Sequence, residues 1–271
     1  VTEPNMTPEK TELGWKIIWD EAQTWQTRSD TQDAWKFAPG SKLAGDNKRT
    51  KPFQTSHACR AVIHAAVDHQ HAVGALVMDA HALHTYAGAT LVRAAIESAS
   101  FAIWMLEPES KEERALRTFK WSAKDYADEL RFEATSMGKP TNIKAAVVER
   151  FGPAVERAGL SIVEVVKGVQ STEAVRAADA YAVRTGEVMR PMLYWQLASG
   201  FAHGRRWSTL AFAERQERDT DDPDVLNVRF SMSQDRVLQL AFASSAAIEM
   251  AIGLWESRAA RAVPPRAKAK R

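Results

Sequence analysis

Apolar residues recur at helical intervals over most of this chain, and polar punctuation divides them into segments. Pro8 and Glu9 open a first helix on which Leu13, Ile17 and Trp25, with Trp15 and Trp19 four apart, predict an apolar face. The segment PGSKLAGDNKRTKP at 39–52 has the glycine, proline and lysine content of a loop and marks a domain boundary. From Thr55 a long helix is predicted to about Met78, built on Ala58, Val62, Ala65, Ala72 and Leu76. A turn at HTYAG, 84–88, leads to a second helix over 89–106, ended by Pro108. It is apolar on nearly every side, the pattern of a central element surrounded by neighbours.

Ser110 caps the next helix, with Glu112 and Glu113 in the first turn, where the helix dipole favours acids. Leu116, Phe119, Ala123 and Leu130 form its buried face, and Gly138 and Pro140 end it. Thr141 caps a helix through Val148 that Gly152 and Pro153 interrupt, and Ser171 begins another that runs toward Leu197 with a break at Thr185 and Gly186. The period then changes. TLAFAERQE and DVLNVRFSM alternate on either side of the acidic turn RDTDDPD, which predicts a small β-hairpin insertion near 209–231. Ser233 caps a final helix to about Arg261 that carries Val237, Leu240, Ala241, Ile248, Ile252 and Trp255. The expected fold is mainly α, a multi-helix bundle with that hairpin inserted. Its expected organisation is an N-terminal helical segment (1–38), a helical bundle domain with the hairpin (53–262) and a disordered basic tail (263–271).

Composition changes this picture in three places. The 271 residues are 45% hydrophobic and 26% charged, an ordinary globular balance with room for a sizeable core. The net charge of +2 is a property of the end, because residues 256–271 carry +5 and leave −3 for everything before them. A basic end on a slightly acidic body argues against a nucleic-acid surface, which needs a basic face. Cys59 stands alone, so neither an intramolecular disulfide nor a cysteine-based metal cluster is available within the chain. The opening VTEPNMTPEK is polar, with no apolar stretch of the signal-peptide kind. The apolar windows at 90–106 and 241–255 are broken by Arg93, Glu97 and Glu249 and fall short of the ~20 clean residues of a membrane span. A cytoplasmic protein without membrane association is expected.

Some polar groups do not belong in a bundle core. Arg93 and Glu97 sit four apart on the central helix, share a face and can pair. They read either as an ion pair that locks helix register or as the charged floor of a pocket. Six of the seven histidines fall between positions 57 and 84, and His64, Asp68 and His71 lie on one helical stripe with ligand chemistry suited to zinc or iron. A di-metal bundle site also calls for a Glu-x-x-His element, which the chain lacks, so histidines at the surface or in hydrogen bonds are the competing reading. His203 is set apart in SGFAHGRRWS, 199–208. There Gly200 and Gly204 permit close approach or positive φ, and Arg205 and Arg206 either complement a helix end or join a polar corner. No G-x-S-x-G elbow, Walker or dinucleotide loop occurs, and RDTDDPD lacks the glycine and terminal glutamate of an EF-hand loop.

The order TLVRAAIESASFAIWMLEP, EERALRTFKWSAKD, YWQLASGFAHGRRW resembles an uncharacterised actinobacterial all-helical family. In that family an R-x-x-x-E helix ending near Leu-x-Pro precedes an arginine-rich helix and a later Ser-Gly-x-x-His-Gly corner. The similarity covers about 85–208. More distantly the layout is similar to the nucleotide-binding helical domains called HEPN, many of which cut RNA. The HEPN nuclease motif places an arginine and a histidine with four to six residues between them. Arg60 and His64 have only three between them, and His203 has no arginine in the window, which argues against RNA cleavage.

The chain therefore reads as a non-catalytic ligand-binding or protein-interaction module with a polar pocket near His203. The alternative is a divergent HEPN-like ribonuclease or a metal-dependent hydrolase using His64, Asp68 and His71. The expected binding residues are Arg93, Glu97, Arg114, His203, Arg206 and Trp207, with no catalytic residue and no cofactor. Glu97 is expected within direct or one-water reach of His203, Arg206 or Arg114, beside a pocket lined by Trp104, Trp195 or Trp207. The partner is expected to be a small molecule or a protein, with nucleic acid behind both and the oligomeric state open.

Overall fold

A computed structural model describes residues 6–138, 142–222 and 224–261. Among them the chain forms eleven α-helices and one two-stranded antiparallel sheet, the mainly α bundle with a hairpin that the pattern predicts. In chain order the first helices are α1 (Pro8–Asp30), α2 (Lys42–Thr50), α3 (Thr55–Met78), α4 (Ala87–Leu106) and α5 (Lys111–Met137). There follow α6 (Ile143–Arg157), α7 (Ile162–Val166), α8 (Ser171–Thr185), α9 (Pro191–Ala202) and α10 (Arg206–Phe212). Strands β1 (Glu214–Arg218) and β2 (Asn227–Ser231) pair with Glu214 opposite Ser231, and α11 (Gln234–Ala259) closes the series.

The chain divides into two compact units, each drawn from three stretches. One comprises Val1–Ala34, Ala61–Ile103 and Ser171–Ala251, the other Trp35–Arg60, Trp104–Gln170 and Ile252–Arg271. This differs from the division into 1–38 and 53–262, because partners distant in sequence, rather than the 39–52 boundary, decide which helices share a core. In the first unit Trp15 and Ile18 meet Val73, Ile96, Phe201, Leu238 and Ala241 in one cluster. Three polar groups buried among them are matched across helices, while Ser100 Oγ has no hydrogen-bond partner among the described residues. The Trp15 indole donates to the Gln234 carbonyl at 3.2 Å, Gln70 Nε2 donates to the Ala241 carbonyl at 3.2 Å, and Ser244 Oγ donates to Gln70 Oε1 at 2.5 Å. In the second unit Phe119, Phe151, Val155 and Val165 form the core, with Phe53 stacked on Phe151 at 4.1 Å.

Several expectations are corrected. The segment 39–52 holds a helix rather than a loop: Ser41 caps α2 by accepting from the Ala44 amide, and Leu43, Asp46, Asn47 and Thr50 are buried. Its polarity misleads because the buried polar groups have partners. Arg114 clamps Asp46 in a two-bond ion pair, and Asn47 Nδ2 donates to Ser56 Oγ at 2.8 Å. On α1 the buried stripe is Thr11, Trp15, Ile18 and Ala22, while Leu13 and Ile17 are 58% and 44% exposed; the indole bond of Trp15 fixes the rotation. On α3 the buried face is Cys59, Ile63, Ala66, Val67, Gln70, Val73 and Val77, with Val62 at its edge and Ala65 exposed. Gln70 sits in that seam because its amide is satisfied there.

On α5 Phe119 and Ala123 are buried as expected, but Leu116 and Leu130 are only partly covered. Helix α6 runs through Gly152 and Pro153 to Arg157; the bond that proline removes is offset by burial of Phe151, Ala154 and Val155 around it. Asn142 caps α6, and Thr141 lies outside the described residues. Helix α7 went unpredicted. Residues 209–212 belong to α10, not to a strand, because the Ser208 and Thr209 hydroxyls donate back to carbonyls of the preceding turn and Phe212 is buried. The tail 263–271 also lies outside the described residues. By length and composition α4 and α11 do reach the size of a membrane span, contrary to the expectation from their charged residues, and 67% of the apolar window of each is buried inside the protein.

Candidate ligand-binding site

The corner between α9 and α10 is built by its two glycines. Helix α9 ends at Ala202 with His203 as its cap residue, and Gly204 follows with φ +61°. The Arg205 amide donates to the Gly200 carbonyl at 2.7 Å and the Gly204 amide to the Phe201 carbonyl at 2.9 Å, the paired bonds of a Schellman turn. Gly204 supplies the left-handed residue that this turn needs. Gly200 serves another purpose. A methyl group there would lie 2.5 Å from Ser208 Cβ and 2.8 Å from Trp207 Cζ2, so glycine lets the start of α10 fold back onto α9.

Behind this corner stands the charged pair of α4. Arg93 Nη2 lies 2.9 Å from Glu97 Oε2, and Arg93 Nε donates to Ser199 Oγ at 3.0 Å. Glu97 Oε2 also accepts from Trp195 Nε1 at 3.0 Å, and Oε1 accepts from Ser171 Oγ at 2.6 Å. The Arg93 guanidinium lies 5.5 Å from the centre of the Trp195 ring, in cation–π range. One carboxylate thus ties α4 to α8 and α9 and orients an indole, while its charge is matched by an arginine that holds the next turn of α9.

In front of this support is a cavity of about 340 Å³ lined by Trp195, Gln196, Ser199, Gly200, His203, Arg205 and Trp207. Trp195 and Trp207 supply flat apolar wall, and Trp207 remains 52% exposed. His203 and Arg205 bring polar groups to the same space, and no carboxylate lines it. Among the described residues Arg205 pairs with no acid. Such a cavity offers stacking surface, a guanidinium fork and an imidazole, which suits an anion carried on a ring.

Of the expected residues His203 and Trp207 line the cavity, Arg93 and Glu97 stand behind it through Ser199 and Trp195, and two lie elsewhere. Arg114 is buried in the other compact unit, donating to both oxygens of Asp46 at 2.6 and 2.9 Å. Arg206 begins α10, is exposed and does not line the cavity; Arg205 does, because it is the Schellman residue that turns back toward α9. Glu97 is held by Arg93, Ser171 and Trp195 rather than by His203, Arg206 or Arg114. Trp104 instead stacks under the Arg117 guanidinium at 5.3 Å. Of the two arginines that the sequence offers for the corner, Arg205 rather than Arg206 lines the cavity, and neither Ser171 nor Ser199 is among the expected binding residues.

The metal stripe is also corrected. Among the described residues no three His, Cys, Asp or Glu side chains gather where an ion could be held. His64 and His71 are seven residues apart, about 10 Å along the helix axis, too far to share one ion without ligands from another element. His71 rests against Trp19, ring centres 5.0 Å apart. No protein-family model, curated protein or solved structure matches the chain, so its functional reading rests on this site.

Proposed function

We propose that this chain is a non-catalytic binding module that takes a small anionic molecule with a planar ring between Trp195 and Trp207. The observation that carries the reading is the grouping of two indoles, His203 and Arg205 around one open cavity without a carboxylate. Pockets of this kind combine apolar walls with a few convergent polar groups. The Glu97 bond to Trp195 and the close contact at Gly200 hold the walls in place before a ligand arrives, which reduces the ordering cost of binding. Arg205 would take the anion through paired N–H bonds, and His203 would add a donor at the rim. Ser199, the one hydroxyl in the lining, already accepts from Arg93, which favours a positioning role over a nucleophilic one.

The test is a titration of the protein with benzoate, indole-3-acetate and adenosine monophosphate, followed by the indole N–H resonances in nitrogen-resolved NMR spectra. At least one probe is expected to shift the Trp195 and Trp207 signals together and to bind about tenfold more weakly to Arg205→Gln, as loss of one charge-assisted contact implies. Neutral indole is expected to bind more weakly than indole-3-acetate. Probes that leave both resonances in place, or that bind Arg205→Gln and Trp207→Ala as well as the parent, overturn the reading.

A further inference from the structure

A second cavity, of about 470 Å³, lies in the other compact unit between α2 and the start of α5. Its walls carry Lys42, Lys48, Arg49, Lys111 and Arg114 with one carboxylate, Asp46. Asp46 is consumed by Arg114, which donates to both of its oxygens. Around the rim Glu109 serves Lys42 at 2.7 Å and Arg258 at 2.8 Å, and Glu112 serves Arg49 at 3.0 Å with Lys111 at 4.0 Å. Six cations therefore share three acids, an excess of three positive charges in a chain whose whole formal charge is +2. Lys48 has no acidic partner among the described residues.

Two details single this cavity out from an ordinary solvated charge cluster. Arg114 is buried, 2% exposed, and lines the cavity. Four of its five N–H groups are spent on Asp46 and on the carbonyls of Pro108 and Glu109, leaving one. The second detail is Gly45, inside α2 and on the cavity wall. Glycine is the poorest helix-interior residue after proline, yet here neither packing nor backbone asks for it. A Cβ at position 45 would meet nothing within 4 Å, and its φ is not positive. What the missing side chain leaves is open space above the cationic floor.

We infer that this cavity binds the phosphoryl group of a small phosphorylated molecule, with the exposed Lys48 and Lys111 closing over it, Arg114 and Arg49, the latter held by Glu112 and the Ala158 carbonyl, as its fixed floor, and Gly45 as the gap through which the group enters. A phosphoryl dianion presents several acceptor oxygens and outcompetes single carboxylates for guanidinium and ammonium donors. Glu109 and Glu112 keep the cations ordered in its absence. The site is separate from the Trp195–Trp207 cavity, and either can fail without the other.

The experiment is calorimetric titration of the full chain with inorganic pyrophosphate at physiological ionic strength, where exposed, unfocused charge is screened. One site per chain is expected. Lys48→Gln combined with Lys111→Gln, both exposed side chains, is expected to weaken it about tenfold or more while leaving the Trp195 and Trp207 indole resonances unchanged. Gly45→Leu is the sharper variant: it is expected to raise or preserve the melting temperature, since leucine is the better helix former, and to abolish binding. No heat with pyrophosphate, undiminished binding in Gly45→Leu, or binding of a short RNA in place of pyrophosphate overturns the inference.

Discussion

Glu97 offers the most direct measure of what holds the α9–α10 corner, because its two replacements by glutamine and alanine remove different things. The carboxylate accepts two hydrogen bonds, from Trp195 at Oε2 and from Ser171 at Oε1, and forms an ion pair with Arg93 at 2.9 Å. In Glu97→Gln the amide oxygen can face Arg93 and Trp195, and the amide nitrogen can donate to Ser171, whose hydroxyl turns to accept. Every bond survives and only the charge is lost. The Arg93 and Glu97 side chains are 27% and 20% exposed, so solvent screens part of that charge, and the expected cost is about 1 kcal/mol. In Glu97→Ala the Ser171 hydroxyl and the Trp195 indole lose their acceptor and Arg93 loses its counter-charge, and the expected cost is about 3 kcal/mol. Urea unfolding followed by circular dichroism gives both numbers, with an unchanged m-value as the check that the unfolded state is unaffected. The Trp195 indole resonance should move modestly in the glutamine variant and strongly in the alanine variant. If glutamine costs as much as alanine, the formal charge rather than the bond geometry orients Trp195, and the role of Glu97 as a shared acceptor is refuted. If neither costs more than about 0.5 kcal/mol, the cluster does not support the corner at all.

Gly200→Ala places a methyl group 2.5 Å from Ser208 Cβ and 2.8 Å from Trp207 Cζ2, so α10 must shift; a loss of about 1–3 kcal/mol and a changed near-ultraviolet tryptophan signal are expected, and an unaltered protein would show that the contact is slack. Glu109 is held down to about 2 from its ordinary 4.5, first by its hydrogen bond from Arg258 and then by Lys42. Its folded value lies below the unfolded one, so its contribution to stability is complete above about pH 4.5 and disappears as pH falls toward 2. Carboxyl-carbon NMR titration reads this directly, and a Glu109 midpoint near 4.5 would remove the basis for treating Arg258 and Lys42 as its partners.

Much of the helical scaffold was legible because period and punctuation agree. Thr55 and Met78 bound α3 as the pattern predicts, and Ser110 with Gly138 brackets α5 through a cap bond and a left-handed residue. Local signals failed where a partner far away in sequence rewrites the meaning of a residue. Asp46 looks like loop polarity until Arg114, 68 positions later, buries it, and Gln70 looks like surface until Ser244 arrives. The site divides the same way. The spacing of Arg93 and Glu97 announces a pair on its own, but that both meet Trp195 depends on how α9 lies against α4. Gly200 and Gly204 were equally visible, yet one answers a dihedral angle and the other a collision with Ser208, and sequence gives both the same letter.

The bond from Trp15 to Gln234 and the one from Ser245 to Glu21 join positions more than 200 residues apart. During synthesis Trp15 of α1 leaves the ribosome 219 residues ahead of Gln234 and must wait for α2 through α10 before its partner exists. At elongation speeds of about 5–20 residues per second that interval is of order ten seconds or more, during which Trp15 and Ile18 have no α11 to cover them. The core containing α1 is therefore completed late, by a long-range closure with α11, and until then the nascent chain offers the uncovered Trp15 and Ile18 to chaperones.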